Sequence, residues 1–371
     1  MFLRNALMWV PAALAAVLCL ACGRNAEEPG RNADALFSGL VSGREPGAAV
    51  VVLKEGRPVF ERCYGVADIR TGRAVDAGTN FRLASLTKQF TAAGVMLLVR
   101  DGKLSYERRL TDVFPDFPEY GRGVTIRHLL QHTSGLPDYE SLMPPADPGL
   151  PVEERQVGDR DVLRLLRTQA SGKFPAGARW DYSNSGYVLL GLVIEQVSGE
   201  PFSRFLKERV FGPLGMEGTV IHERGADDIV RRAFGHTFER GVWRVRDQSP
   251  TSATRGDGAA YSSLEDMSRW DRALREGRVF TAAETAAAFA PVAVLGRGPV
   301  EPDGTPAAYG FGWFLNSWRG RARAWHYGET AGFRTAIHRF IDDGLTVIVL
   351  CNRDDLSAAD LALKTAGLFP E

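Results

Sequence analysis

Ser85-Leu86-Thr87-Lys88, running on into the apolar stretch Gln89-Phe-Thr-Ala-Ala-Gly-Val-Met-Leu-Leu-Val-Arg100, is where the fold is decided. Positions three apart on a helix are surface neighbours, so the serine hydroxyl and the lysine amine share a face. Phe90, Val95, Met96, Leu97, Leu98 and Val99 make the helix mostly buried, and Asp101-Gly102 stops it. Ser85 is then expected in the first turn of a core helix, where free N–H groups and the positive dipole end gather. A buried lysine loses its charge readily and serves as a base. Such a pair suits activation of a hydroxyl and stabilisation of the resulting oxyanion. In isolation, Ser-x-x-Lys reads more simply as a capping serine beside a solvated lysine, because short motifs recur by chance.

On either side of this helix the chain shows two matching hairpins. Gly47 to Leu53, a Lys54-Glu55-Gly56-Arg57 turn, and Pro58 to Tyr64 form the first. Phe333 to Ile341, Asp342-Asp343-Gly344, and Leu345 to Cys351 form the second. Thr346 to Leu350 is almost wholly apolar, as in a strand covered on both faces. A last helix spans Leu356 to Leu368, so both ends of the chain build one sheet with helices beside it. The middle reads as helical. Ile126–Gln131 begins at Thr125, Asp161–Thr168 and Tyr187–Val197 follow, and Phe202–Val210 and Ser263–Glu276 complete the set, with a proline-rich loop over Leu142–Pro151. A mostly helical lobe inserted into an α/β lobe is expected, with a ligand site where they meet. Cys63 and Cys351 each end a strand-like run; pairing in an oxidising compartment and two buried thiols both remain open.

Lys plus Arg equals Asp plus Glu, 45 each, and no basic run is interleaved with aromatics, which argues against a nucleic-acid partner. Arg4 and the alanine-rich Ala6–Ala21 read as a signal peptide, too short for a membrane span. Cys19 and Cys22 have a redox-like spacing, but a cleaved leader carries no redox centre. Leu20-Ala21-Cys22-Gly23 resembles a bacterial lipoprotein cleavage box with Cys22 as the lipidated residue, although Cys19 stands where such boxes carry leucine. Plain secretion after Ala21 is the alternative. The expected organisation is a signal peptide over 1–21, a tether over 22–33 and one domain over 34–371. Its α/β lobe takes 34–120 and 306–371, and its helical lobe 121–305. The protein is expected to be exported, as a periplasmic or cell-envelope lipoprotein attached through Cys22.

Two further motifs lie beyond the first. Tyr182-Ser183-Asn184 precedes the Tyr187 helix, placing a phenol near an amide. The phenol can relay a proton if a cationic lysine lowers its pKa, and the amide can hold a substrate carbonyl. Alone, this is a helix-capping turn. His326-Tyr327-Gly328 comes just before the second-last strand, and Gly328, like Gly332, lets the backbone approach a ligand.

The order Ser85-x-x-Lys88, Tyr182-x-Asn184, His326-x-Gly328 resembles the penicillin-recognising serine hydrolases: class C β-lactamases, DD-peptidases and related esterases. Leu129-Leu-Gln-His-Thr-Ser-Gly-Leu136 and Gly256-Asp-Gly-Ala-Ala-Tyr-Ser-Ser263 resemble accessory segments of that family, and the likeness covers about residues 34 to 371. It implies a β-lactamase-like two-lobe fold of α/β (α+β) type, an antiparallel sheet flanked by helices, with Ser85 in the cleft as the acylated nucleophile. Lys88 and Tyr182 would share the base role and Asn184 would orient the substrate. The backbone N–H groups of Ser85 and Glu329 would form the oxyanion hole, with His326 facing the cleft beside the acyl group and His132 bracing the loop beneath the helical lobe. No cofactor and no metal is implied. His326 stands where most class C β-lactamases have lysine, and a neutral imidazole attracts a substrate carboxylate less than an ammonium does. No dedicated deacylating glutamate is apparent. Both departures favour an esterase or D-amino-acid peptidase over a true β-lactamase, acting on a small-molecule or peptide substrate. The rival reading is a catalytically quiet penicillin-binding or sensor module on the same fold; retention of Ser85 and Lys88 argues against it.

Overall fold

A computed structural model describes residues 28–369, apart from 146, 148, 227–228, 293, 295–297 and 301–303. The expected signal peptide and Cys22 lie outside the described residues. Among those described, no helix is long and apolar enough to cross a membrane.

The strands that build the main sheet are Ala48–Lys54 (β1), Arg57–Tyr64 (β2), Ala308–Tyr309 (β3), Phe314–Trp318 (β4), Arg321–Thr330 (β5), Phe333–Phe340 (β6) and Leu345–Cys351 (β7). They lie in the order β3-β4-β5-β6-β7-β1-β2, each antiparallel to its neighbours. The β1–β2 turn carries Glu55 and Gly56 at φ of +50° and +72°, the paired left-handed conformation that matches strand twist in a tight hairpin. The helices that matter here are 28–38 (α1), Thr87–Arg100 (α2), Asn184–Ser198 (α3), Leu264–Arg275 (α4) and Ala358–Ala366 (α5).

Strands alternate their side chains between faces. Val50, Val52, Val347 and Val349 pack outward with Phe37 of α1 and Leu361 and Ala362 of α5. Ala49, Val51, Leu53, Ile348 and Leu350 pack inward, in the core shared by α2, α3 and α4. Every residue of α2 from Thr87 to Leu98 is buried, as befits a helix apolar on all sides. Gly94 admits α3 closely: a Cβ there would lie 2.8 Å from Ile194 Cδ1.

The structure corrects one expectation and completes two others. The tether expected through 33 is helical from 28, and Pro29 suits a first helical turn, where a missing N–H costs nothing. The mostly helical middle also carries short strands. Phe81–Arg82, Ala260–Ser262 and Val220–Ile221 form a small sheet, and His236–Glu239 with Val242–Val245 form a hairpin. Strands of two to four residues are too short to show a period. Of the two readings left open for Cys63 and Cys351, the structure has two free thiols. They flank β1 on opposite sides, opposite Ala49 and Ala48 respectively, and belong to opposite faces of the sheet.

Candidate active site

Ser85 does not lie within α2 itself. It sits in a 3₁₀ turn, Ala84–Leu86, that feeds directly into the helix. Ala84 holds φ at +49°, a conformation a non-glycine residue adopts only under local constraint. The constraint comes from the sheet. Thr335 Oγ1 of β6 donates to the Leu83 carbonyl at 2.8 Å. Gly328 of β5 lies so near the turn that a Cβ there would be 2.2 Å from Leu83 O and 3.1 Å from Ser85 N. Only glycine lets strand and turn come this close.

Lys88 is fully buried in α2, and its ammonium has three hydrogens to place. Nζ donates to Ser85 Oγ at 2.9 Å, to Asn184 Oδ1 at 2.9 Å and to the Asp257 backbone oxygen at 3.0 Å. Burial lowers it from 10.5 to about 8, while the charges of Asp257 and Glu140 hold it up. Asn184 is the first residue of α3, whose N-terminus is capped by Ser183 Oγ accepting from the Gly186 N–H at 3.0 Å. With its oxygen on Lys88, Asn184 turns its Nδ2 to Glu140 Oε1 at 3.2 Å. Burial, then the neighbouring Asp138, raises the Glu140 carboxyl.

Tyr182 stands just before that helix, with the Lys88 ammonium 4.9 Å from its ring centroid. Its phenol is raised well above the ordinary tyrosine range by burial, an effect the interaction with Ser85 offsets only in part. The condition that a lysine charge lowers this phenol is not met, because burial outweighs every lowering influence. The His132 ring packs 4.3 Å from the Tyr182 ring, and His132 Nδ1 accepts from the Ser183 N–H at 3.0 Å, so His132 does brace this loop.

His326 lies inside β5, just ahead of β6, and alternation puts it on the same inner face as Gly328. Its ring is nevertheless fully buried. Nδ1 lies 2.7 Å from the Tyr327 carbonyl, which can only accept, so Nδ1 carries the proton. Nε2 then accepts from the Tyr309 hydroxyl at 3.1 Å. Burial, reinforced by the Lys88 charge, pushes the imidazolium down to about 3. The imidazole is neutral, and both its nitrogens are already used.

Glu329 follows Gly328 in the half of β5 that is open on one side. β4 pairs with β5 only from Arg321 to Trp325, whereas β6 pairs along it through Thr330. Ser85 keeps some solvent exposure beside this opening, and its N–H donates to no carbonyl among the described residues. A carbonyl group placed over Ser85 would thus meet a hydroxyl hydrogen-bonded to a buried amine, a free backbone donor and an unpaired strand edge. Reading the sequence alone singles out neither Asp257, Glu140 nor Tyr309. Asp257 lay within the Gly256–Ser263 segment already marked as a likeness, but its contact to Lys88 runs through a backbone oxygen, which no side-chain pattern encodes.

A protein-family model described as Beta-lactamase matches residues 33–368. Penicillin-binding protein 4* of Bacillus subtilis is 31% identical over 346 residues, covering 90% of this chain and 74% of the relative. A D-aminopeptidase of Cereibacter sphaeroides is 30% identical over 338 residues, covering 88% of this chain but only 61% of the relative, so the chain spans about three-fifths of that protein's length. Among solved structures, the D-amino acid amidase of Ochrobactrum anthropi SV3 complexed with L-phenylalanine amide superposes with a TM-score of 0.75 at 26% identity, covering 93% of this chain and 99% of that one.

Proposed function

The chain belongs to the β-lactamase family of penicillin-recognising serine hydrolases, and on that premise we propose that it hydrolyses D-amino-acid amides or peptides through an acyl-enzyme on Ser85. The observation that carries this reading is the 2.9 Å contact between Ser85 Oγ and a buried Lys88 whose ammonium is brought down to about 8. A group near the working pH is what general-base catalysis needs. Uncharged Lys88 takes the Ser85 proton as Oγ attacks the substrate carbonyl carbon. The oxyanion is held by the N–H groups of Ser85 and Glu329. Tyr182, protonated at rest, donates its proton to the departing amine and is reprotonated from the Lys88 ammonium. Water then attacks the ester with the same groups as base. Asn184, fixed between Lys88 and Glu140, orients the substrate amide.

Charge supports an amine-bearing substrate over a carboxylate-bearing one. His326 is neutral and has no free donor, whereas Glu140 offers an exposed carboxylate at the Asn184 side. Charged hydrogen bonds are about twice as strong as neutral ones, so a free α-ammonium gains there and a β-lactam carboxylate does not. The names of the relatives, a D-aminopeptidase and a D-amino acid amidase, point the same way. The test is kcat/KM for a D-amino-acid p-nitroanilide, its N-acetylated form, a p-nitrophenyl ester and a chromogenic cephalosporin. The free-amine anilide should be turned over well, its acetylated form and the cephalosporin poorly. Efficient cephalosporin hydrolysis would restore a β-lactamase assignment. Export with lipidation at Cys22 is part of the same proposal, supported by the leader and the Leu20–Gly23 box. Fatty-acid labelling should mark the wild type and miss Cys22→Ala.

A further inference from the structure

The mechanism above leaves one buried acid beside Lys88 without a task. Asp257 is 6% exposed. Its backbone oxygen accepts from Lys88; its carboxyl is raised by burial and held down first by the Lys88 charge, then by Thr254 and its own backbone N–H. Tyr139 OH donates to Oδ2 at 3.3 Å and also lies 3.3 Å from Thr254 Oγ1. Oδ1 is buried with no hydrogen-bond partner. A carboxylate in this state needs a compensating charge close by.

The cations that face Asp257 are Lys88 and Arg82. Arg82 donates to the backbone oxygens of Ser252 at 2.9 Å and Gly258 at 3.4 Å while its Nη1 is buried without a partner, and its charge acts on Asp257 less than that of Lys88 does. The acids nearby are committed: Asp159 to Arg255 at 2.7 Å and Glu140 to Asn184. The phenols of Tyr139 and Tyr182 complete the surroundings of Asp257. Lys88 in turn faces Asp257, Glu140, the rings of Tyr182 and Tyr187, and the neutral imidazoles of His132 and His326. It makes no ion pair with any described carboxylate. We propose that the carboxylate of Asp257 is the built-in counter-charge of Lys88, a positioning residue that sets the pH at which Ser85 can be activated.

The backbone is anchored as that role requires. Arg255 reaches Asp159, Glu195 at 2.9 Å and Glu223 at 3.2 Å, tying the segment to three separate stretches of chain. Gly256 O accepts from Thr91 Oγ1 at 2.6 Å, and a Cβ on Gly256 would sit 2.2 Å from Tyr187 O. Asp257 is thereby locked under Lys88. Its negative charge favours the ammonium, so it strengthens Lys88 as a proton acceptor and raises the pH needed to free it. Burial acts in the opposite direction, and the balance between them places Lys88 near 8.

The inference rests on Lys88 being the base, and the experiment separates the two. In Asp257→Asn the acid limb of kcat/KM should move down by about one pH unit or more, the size typical of removing a close opposite charge. The pH dependence of Ser85 labelling by a fluorophosphonate should move equally, without needing turnover. Glu140→Gln, whose carboxylate is solvent-exposed, should move the limb less. A uniform loss of rate with the limb unmoved overturns the proposal. If the variant does not fold, the ¹³C carboxyl signal of Asp257 in the wild type decides: it should stay ionised from pH 5 to 9, and protonation within that range overturns the proposal. Turnover surviving in Lys88→Ala would instead refute Lys88 as base. Loss of turnover there, with an unmoved limb in Asp257→Asn, refutes only the role of Asp257.

Discussion

Two side chains carry consequences that single substitutions can read. Lys88 goes into the folded protein against its own charge. Its ammonium is brought from 10.5 to about 8, so the unfolded chain binds more protons between those values and stability rises with pH across that window. Below about 8 the full penalty applies, on the order of 3 kcal/mol. Lys88→Met should therefore be inactive and lose this pH dependence, so that the wild type gains in denaturant midpoint relative to the variant as pH rises from about 8 to 10.5. Gly328→Ala acts on Ser85 through the backbone. Its Cβ would collide with Leu83 O, pushing the turn off the strand and shifting the Ser85 N–H, so kcat should fall at least a hundredfold, on the scale of losing one oxyanion donor. At this scale the sequence was informative where a side chain touches a side chain. Ser85, Lys88 and Asn184 do meet within 2.9 Å. It was silent where contact runs through backbone, as at Asp257, or where a partner belongs to no motif, as Tyr309 does for His326. The burial of His326 followed from a tyrosine on β3 that no motif flagged.

Secondary-structure elements were legible in proportion to their apolar period. α2, α3 and the two outer hairpins carry long buried runs and stand where the pattern put them, with Gly199 ending α3 at φ +78°. The 81–82, 220–221 and 260–262 strands have no pattern of their own and exist because tertiary contacts hold them. Two joints between elements are testable. Arg339 of β6 donates to Asp271 of α4 at 2.6 Å, and Thr346 of β7 donates to the same oxygen at 2.9 Å, all in the core. Asp271→Ala leaves a buried guanidinium unpaired and should cost about 3–5 kcal/mol, read from the urea midpoint. Ser183→Ala removes only the cap of α3 and should cost about 1 kcal/mol. Because Asn184 is the first residue of that helix, fraying should lower kcat/KM more than thermal stability.

The whole molecule holds its sheet together without a covalent link among the described residues. Cys63 and Cys351 are free, on opposite faces, and burial pushes both thiols up to about 12, so they are slow to react. A dithiothreitol titration should leave the thermal midpoint unchanged; a shift would mean the thiols find partners in solution. The sheet's other peculiarity is the stretch of β5 from His326 to Thr330, paired on one side only. An unpaired edge is a template for any extended chain, including a neighbouring copy, and folded proteins keep such edges short or charged to escape sticking together. Here the free stretch is five residues, cut off by the Ala331-Gly332 turn and bearing Glu329 at its rim. That is long enough to grip a dipeptide-sized backbone and too short to zip two sheets into a fibre. Extending it by trimming β4 back from Phe314 should therefore produce concentration-dependent aggregation before it produces any broader appetite for peptides.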